Sequence, residues 1–250
     1  KYVRMIPSGI STNEYRFTFI PFGAPVNGKF ISEVAFVDPT LGFLYSDILG
    51  NGTTYKVAKR TADVTKAIVI PQNIEEGTVT EIAEIGFKDC SALPKYTLPV
   101  TITKIGDSAF ENCTSLVGDT SVNEYSVSPM IPNAVTSIGN RAFKGCTALQ
   151  RVEIAIDGPD ITVGDEAFMN CTSLTSLPVS NLHDGVLRLW LYHKTNIISI
   201  GNSAFEGCTS LGNGNYFYIP DATITVGNRA FAECSTLTAV SVGLSVNSIG

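Results

Sequence analysis

Histidine, charge and tryptophan are scarce in this chain of 250 residues. Two histidines, 16% charged residues and a single tryptophan are its whole supply, where a globular domain ordinarily carries about a quarter charged residues. The scarcity of histidine removes most metal and general-base chemistry. His183 and His193 lie ten residues apart, which is not a zinc-ligand spacing, and no serine sits in a G-x-S-x-G elbow beside them. The sequence also has no C-x-x-C pair and no D-x-D-x-D-G calcium loop. It is therefore read as non-enzymatic, without cofactor or metal. The formal net charge of −6 and the lack of a basic patch exclude nucleic acid and anionic membrane as partners. There is no run of 18 apolar residues, so no segment is expected to span a membrane.

A short pattern recurs instead. Ile105-Gly106-Asp107-Ser108-Ala109-Phe110-Glu111-Asn112-Cys113-Thr114-Ser115-Leu116 has counterparts beginning at Ile138, Val163, Ile200 and Val226. Each keeps Gly at the second place, Ala-Phe at the fifth and sixth, Cys at the ninth and Leu at the twelfth. A looser copy begins at Ile82 with Ala83 and Gly86 in exchanged roles, and another starts at Ile249-Gly250. Continuing from Leu93 through Tyr96, Leu98, Pro99 and Ile102 to Ile105 closes a unit of 23 residues, the spacing of Cys90 and Cys113. A fixed period of roughly 20 to 50 residues is the signature of a solenoid.

A unit this small cannot enclose a core, so each coil must bury its apolar edges against its neighbours. The L-x-x-V-x-I segment, as in Leu149, Val152 and Ile154, alternates like a short strand, and stacked copies predict a parallel sheet. The proline after it ends the ladder and the Gly at the second place is expected to supply a turn. Phe87, Phe110, Phe143, Phe168, Phe205 and Phe231 should form one interior column. The six cysteines all hold the ninth place. Equivalent places in adjacent coils stand about 4.8 Å apart with parallel Cβ directions, too far for the ~3.8 Å a disulfide prefers, so buried free thiols are expected.

The motif Ile138-Gly139-Asn140-Arg141-Ala142-Phe143-Lys144-Gly145-Cys146-Thr147-Ala148-Leu149 resembles that of the BspA-like leucine-rich repeat proteins. The resemblance covers about residues 55 to 250 and implies a curved right-handed leucine-rich repeat solenoid. It also implies a surface or secreted protein of a host-associated microbe, with an adhesin's partners: extracellular-matrix or cell-surface proteins.

Residues 1–54 do not fit the unit. Alternating stretches such as Tyr15 to Phe19 and Ile31 to Val37, broken by Pro21, Pro25, Gly28 and Pro39, read as short strands, forming either a cap over the solenoid end or a separate small β domain. The solenoid occupies residues 55–250, with about six full repeats, a degenerate first and a truncated last. A start at Lys1 and a stop inside a repeat suggest a trimmed fragment, with any export signal or anchor outside it.

Two units are longer than the rest. Residues 117–131 read as a flexible loop. Residues 180–196 carry Asp184-Gly185 and then Val186 to Tyr192 in hairpin-like alternation. The second insert is expected to present Arg188, Trp190, Tyr192 and His193 to a partner, residue types that include those enriched at binding hot spots. On the repeats themselves, Lys95 and Thr97, Arg151 and Glu153, Ser176 and Pro178, and Ala239 and Ser241 are expected to point outward, flanking the inward Val152 and Val240. The sequence thus points to a monomeric extracellular protein-binding or adhesion module. A scaffold repeat within a longer surface protein is the alternative.

Overall fold

The computed structural model describes residues 35–38, 43–48, 53–59, 64–74, 77–117, 131–152, 158–175, 197–212 and 216–250. Its strands, in chain order, are β1 (Ala35–Asp38), β2 (Phe43–Asp47), β3 (Thr54–Lys59), β4 (Ile68–Val69), β5 (Asn73–Ile74), β6 (Gly77–Ile82), β7 (Tyr96–Thr97) and β8 (Lys104–Ile105). They continue as β9 (Ser137–Ile138), β10 (Ile161–Val163), β11 (Ile197–Ile200), β12 (Tyr216–Ile219), β13 (Thr225–Val226), β14 (Ala239–Val242) and β15 (Ser248–Ile249). The chain is a parallel β-solenoid with one coil per repeat.

The expected strands form at β4, β7, β12 and β14, and pair in parallel as β4 with β7 and β12 with β14. The continuous ladder is elsewhere, on the two residues that end at the first place of the unit. There β6, β8, β9, β10, β11, β13 and β15 run in register, with Ile82, Ile105, Ile138, Val163, Ile200, Val226 and Ile249 aligned. Both insertions lie in the L-x-x-V-x-I half of their units, whereas the Ile-Gly half keeps its register through the described coils. At the N-terminal end β2 pairs antiparallel with both β1 and β3, and β3 joins the ladder in parallel with β6.

The interior is a set of columns. Successive Phe rings from Phe87 to Phe231 stack at 5.2–5.5 Å with planes within 8°, and Phe43 of β2 meets Phe87 edge-on at 6.0 Å. Such pairs add about 0.5–1.5 kcal/mol each beyond burial. All six thiols are free and buried. Five of them donate to the carbonyl of the Phe in the preceding coil: Cys113 to Phe87, Cys146 to Phe110, Cys171 to Phe143, Cys208 to Phe168 and Cys234 to Phe205, at 3.1–3.2 Å. Burial pushes the Cys146 and Cys208 thiols up to about 12. The acceptor changes what a substitution costs. Cys146→Ala should lose about 1–2 kcal/mol through a small cavity and an orphaned carbonyl. A hydroxyl placed there keeps a donor for that carbonyl, so Cys146→Ser should cost no more than Cys146→Ala in a denaturant titration. Reductant should leave the melting temperature unchanged.

The glycine at the second place serves close approach rather than a turn. A Cβ on Gly139 would lie 2.6 Å from the Asp107 backbone nitrogen, and on Gly201 2.5 Å from the Gly164 carbonyl carbon. The turns are made at the fourth and eighth places instead. Ser108, Arg141, Glu166, Ser203 and Arg229 at the fourth, and Asn112, Asn170, Gly145 and Gly207 at the eighth, all have φ between 52° and 74°. Left-handed backbone favours Asn, Asp and Gly, which accounts for Asn112 and Asn170.

Candidate recognition surface

Wherever the side chains of the L-x-x-V-x-I strands are described, the strand register decides which of them a partner could reach. Ile68 pairs with Tyr96 and Val69 with Thr97. Ile68 and Tyr96 are buried, while Val69 and Thr97 are exposed. In the same phase Val152 is fully buried beside the exposed Arg151, and Lys95 is half-buried. Thr97, Arg151, Ala239 and Ser241 all lie outward as expected.

Val240 departs from the expectation, since it is 41% exposed. Its register is nevertheless the expected one, because it pairs with the buried Phe217 and its neighbour Val242 pairs with Ile219. The exposure arises because no described coil stacks on this one, which also leaves Leu244 and Ile249 open. Glu153, Ser176 and Pro178, and the insert residues Arg188, Trp190, Tyr192 and His193, lie outside the described residues.

The opposite side of the coils carries polar columns that the sequence reading missed. At the third place each side-chain oxygen accepts the backbone N–H of the same place in the next coil: Asp107 from Asn140 at 2.9 Å, Asn140 from Asp165 at 2.8 Å, Asp165 from Asn202 at 2.7 Å and Asn202 from Asn228 at 2.9 Å. Hydroxyls of Thr103 and Thr136 donate in the same way to Thr80 and Thr103 carbonyls at 3.2 Å. The signal was present as Asp or Asn at every third place of the five close copies. Asp165, Asn202 and Asn228 of these columns, with Ser199, Thr225 and Ser248, wall a shallow polar groove floored by Gly201 and Gly227. Among the described residues no group of His, Cys, Asp or Glu could hold a metal ion.

Charge is distributed the same way, from coil to coil. Lys88 meets Glu111 at 2.9 Å, Lys144 meets Glu166 at 2.5 Å, and Arg229 grips Glu206 through Nη2 at 2.5 Å and Nε at 3.2 Å. Burial works against ionisation of Glu111, but hydrogen bonds from Ser108 and Lys88 outweigh it and hold the carboxyl below its usual range. Glu166 is lowered chiefly by its bond from Lys144, and Glu206 by its bond from Arg229. Folded values below unfolded ones mean stability that is present above the ordinary carboxylate value and lost as pH falls through the folded values. The melting temperature should therefore drop below about pH 4.5. Glu166→Gln should flatten that drop while costing no more than about 1 kcal/mol at pH 7.

The pattern of BspA type leucine rich repeat regions matches the sequence in six copies over residues 64–128, 123–184 and 190–250. The chain belongs to the BspA-type leucine-rich repeat family. Among solved structures, a leucine-rich repeat protein from T. pallidum superposes with a TM-score of 0.63 at 21% identity, over 82% of this chain and 81% of its own. A leucine-rich cell surface protein from Faecalibacterium prausnitzii gives 0.56 at 24% identity, over 86% of this chain and 56% of its own. A leucine-rich repeat protein from Eubacterium ventriosum gives 0.60 at 23% identity, over 85% and 46%. Thus the chain spans about half the length of these last two relatives. A search of curated proteins returns no match. For this BspA-type solenoid the likeness to solved structures concerns the fold, and no helix among the described residues is long and apolar enough to cross a membrane.

Proposed function

We propose that this chain is an extracellular or cell-surface module that binds a protein partner, with the outward positions of the L-x-x-V-x-I strands and the 180–196 insert as its working face. The observation that carries the reading is the contrast between the two sides of the coils. Along the Ile-Gly side, Asp107, Asn140, Asp165 and Asn202 spend their polar groups on the next coil, and Thr103 and Thr136 spend theirs on the preceding one. Along the other side, Val69 and Thr97 stand exposed on strands β4 and β7, whose inward residues Ile68 and Tyr96 fill the core. The first side reads as scaffold and the second as surface.

Support for an extracellular setting comes from the family and from the Faecalibacterium relative's description as a cell surface protein. The partner class is a host extracellular-matrix or cell-surface protein, bound by a monomer without catalysis. Lys95, Arg151 and Glu153 flank the strand face, and Arg188, Trp190, Tyr192 and His193 form the anchor. Residues 1–54 act as the cap of the open N-terminal end, with Phe43 laid against Phe87.

Surface plasmon resonance against a panel of purified extracellular-matrix proteins tests this. For any partner found, Trp190→Ala should weaken binding by about 2 kcal/mol, roughly thirtyfold, with the melting temperature unchanged. A loss of stability of about 3–5 kcal/mol with unchanged affinity would instead place Trp190 in a core and favour a scaffold without its own partner.

A further inference from the structure

The groove between Ser199, Thr225 and Ser248 on one wall and Asp165, Asn202 and Asn228 on the other takes its lining from four successive coils, so it runs along the solenoid axis. Each coil contributes the same trio: a hydroxyl at the last place of the unit, glycine at the second and Asp or Asn at the third. The trio is complete as Ser137, Gly139 and Asn140, as Thr162, Gly164 and Asp165, as Ser199, Gly201 and Asn202, and as Thr225, Gly227 and Asn228, and it begins again at Ser248 and Gly250. Stacking accounts for the glycine and the Asp or Asn, which also stand at Gly106 and Asp107. It does not account for the hydroxyl. Glu81 and Lys104 hold the last place in the same ladder and keep its register, so five successive hydroxyls from Ser137 to Ser248 go beyond what the fold requires.

What the groove offers a ligand follows from which groups are already spent. The floor amides of Gly201, Gly227 and Gly250 bond to the Val163, Ile200 and Val226 carbonyls, and Ile200 and Val226 in the lining are buried. An extended peptide would therefore find neither an open ladder edge nor an apolar pocket there. Asp165 is the only charged side chain of the lining, which gives little grip on a polyion. Hydroxyl, amide and carboxylate groups remain. The Ser199 and Thr225 hydroxyls share one bond of 3.0 Å, which leaves one of their two hydrogens for a ligand. Asp165 takes the Asn202 groups through Oδ1, and among the described residues its Oδ2, the Asn228 side chain and the Ser248 hydroxyl have no hydrogen-bond partner.

The geometry points to this groove as a binding site for an unbranched neutral polysaccharide, laid along the solenoid axis with one sugar ring per coil. Ring hydroxyls both donate and accept, and they match a wall that offers amide and hydroxyl donors beside carboxylate and hydroxyl acceptors. Successive coils of a parallel ladder stand about 4.8 Å apart, close to the step of one ring in an extended β-1,4-linked hexose chain. Each ring then meets the same trio as the one before it.

The test is a titration of the folded chain with cellohexaose, followed by NMR at the backbone amides, and a second titration with maltohexaose, which carries the same rings in a curling chain. Cellohexaose should shift the Ser199, Thr225 and Asn228 amides and bind at least about tenfold more tightly than maltohexaose. The double variant Ser199→Val, Thr225→Val keeps the ladder and removes two hydroxyls. It should weaken cellohexaose by about tenfold with the melting temperature unchanged. No shift of these amides at about 10 mM cellohexaose would overturn the proposal, as would equal binding of the two hexasaccharides or undiminished binding by the double variant.

Discussion

Phe168→Ala is expected to destabilise the solenoid by about 5 kcal/mol, at the top of the range for a fully buried phenylalanine. The ring sits mid-column, stacked at 5.2 Å on both Phe143 and Phe205, so its loss removes two stacked pairs as well as its own burial. A coil in a repeat protein touches only its neighbours, so the damage is local in contact but divides the stack in two. Denaturant unfolding followed by circular dichroism should then show a lower midpoint and a broadened or two-step transition. Phe231→Ala is the control, because Phe231 is only half-buried at the exposed end and should cost clearly less.

The second large effect is at glycine. Gly201→Val should cost at least about 3 kcal/mol, the upper part of the range for overpacking, because its first added carbon already lies 2.5 Å from the Gly164 backbone and 2.6 Å from the Asp165 nitrogen. The coils cannot separate to make room without breaking the Gly201 amide bond to the Val163 carbonyl, which is 2.8 Å long. Thermal melting of the single variant checks it. A change below about 1 kcal/mol would mean that the coils are not in the close contact described here.

Why the sequence showed the architecture so readily follows from these two positions. Phe at the sixth place and Gly at the second are each forced by the same neighbour-to-neighbour packing in every coil, so they repeat almost without exception and the period can be counted. The exception at Ile82 is itself informative. Ala83 stands where Gly belongs and the element before it is β3, not a coil; its amide still bonds to the Val57 carbonyl at 2.9 Å, as the second-place glycines bond to the coil before them. Gly86 stands where Ala belongs because a Cβ there would meet the Ala83 carbonyl oxygen at 2.8 Å.

The continuous ladder was harder to see. Its strands are two residues long at Lys104–Ile105, Ser137–Ile138 and Thr225–Val226, too short for alternation to register, whereas L-x-x-V-x-I advertises a strand by its pattern. Likewise the left-handed fourth place accepts Ser, Arg and Glu. Nothing in those residue types announces a turn, since ordinary L residues adopt that conformation only when the surrounding stack holds them there.

The recognition surface was legible only in phase. Alternation correctly set Val152 inward and Arg151 and Thr97 outward. It could not show that Val240, with the same phase, would be open to solvent, because exposure at that coil depends on what stacks on it and not on its own sequence. The polar columns on the far side were missed because Asp and Asn at the third place look like surface residues until the neighbouring backbone N–H is seen beside them.

Amide hydrogen exchange resolved to single residues tests most directly the claim that each coil is held by the next. The Phe87, Phe110, Phe143, Phe168 and Phe205 amides donate at 2.7–2.8 Å to Ala109, Ala142, Ala167, Ala204 and Ala230. The Phe231 amide has no such coil beyond it among the described residues. Stacking predicts slow exchange at Phe110, Phe143 and Phe168, approaching the rate of global unfolding, and fast exchange at Phe231. Exchange at Phe168 as fast as at Phe231 would contradict it.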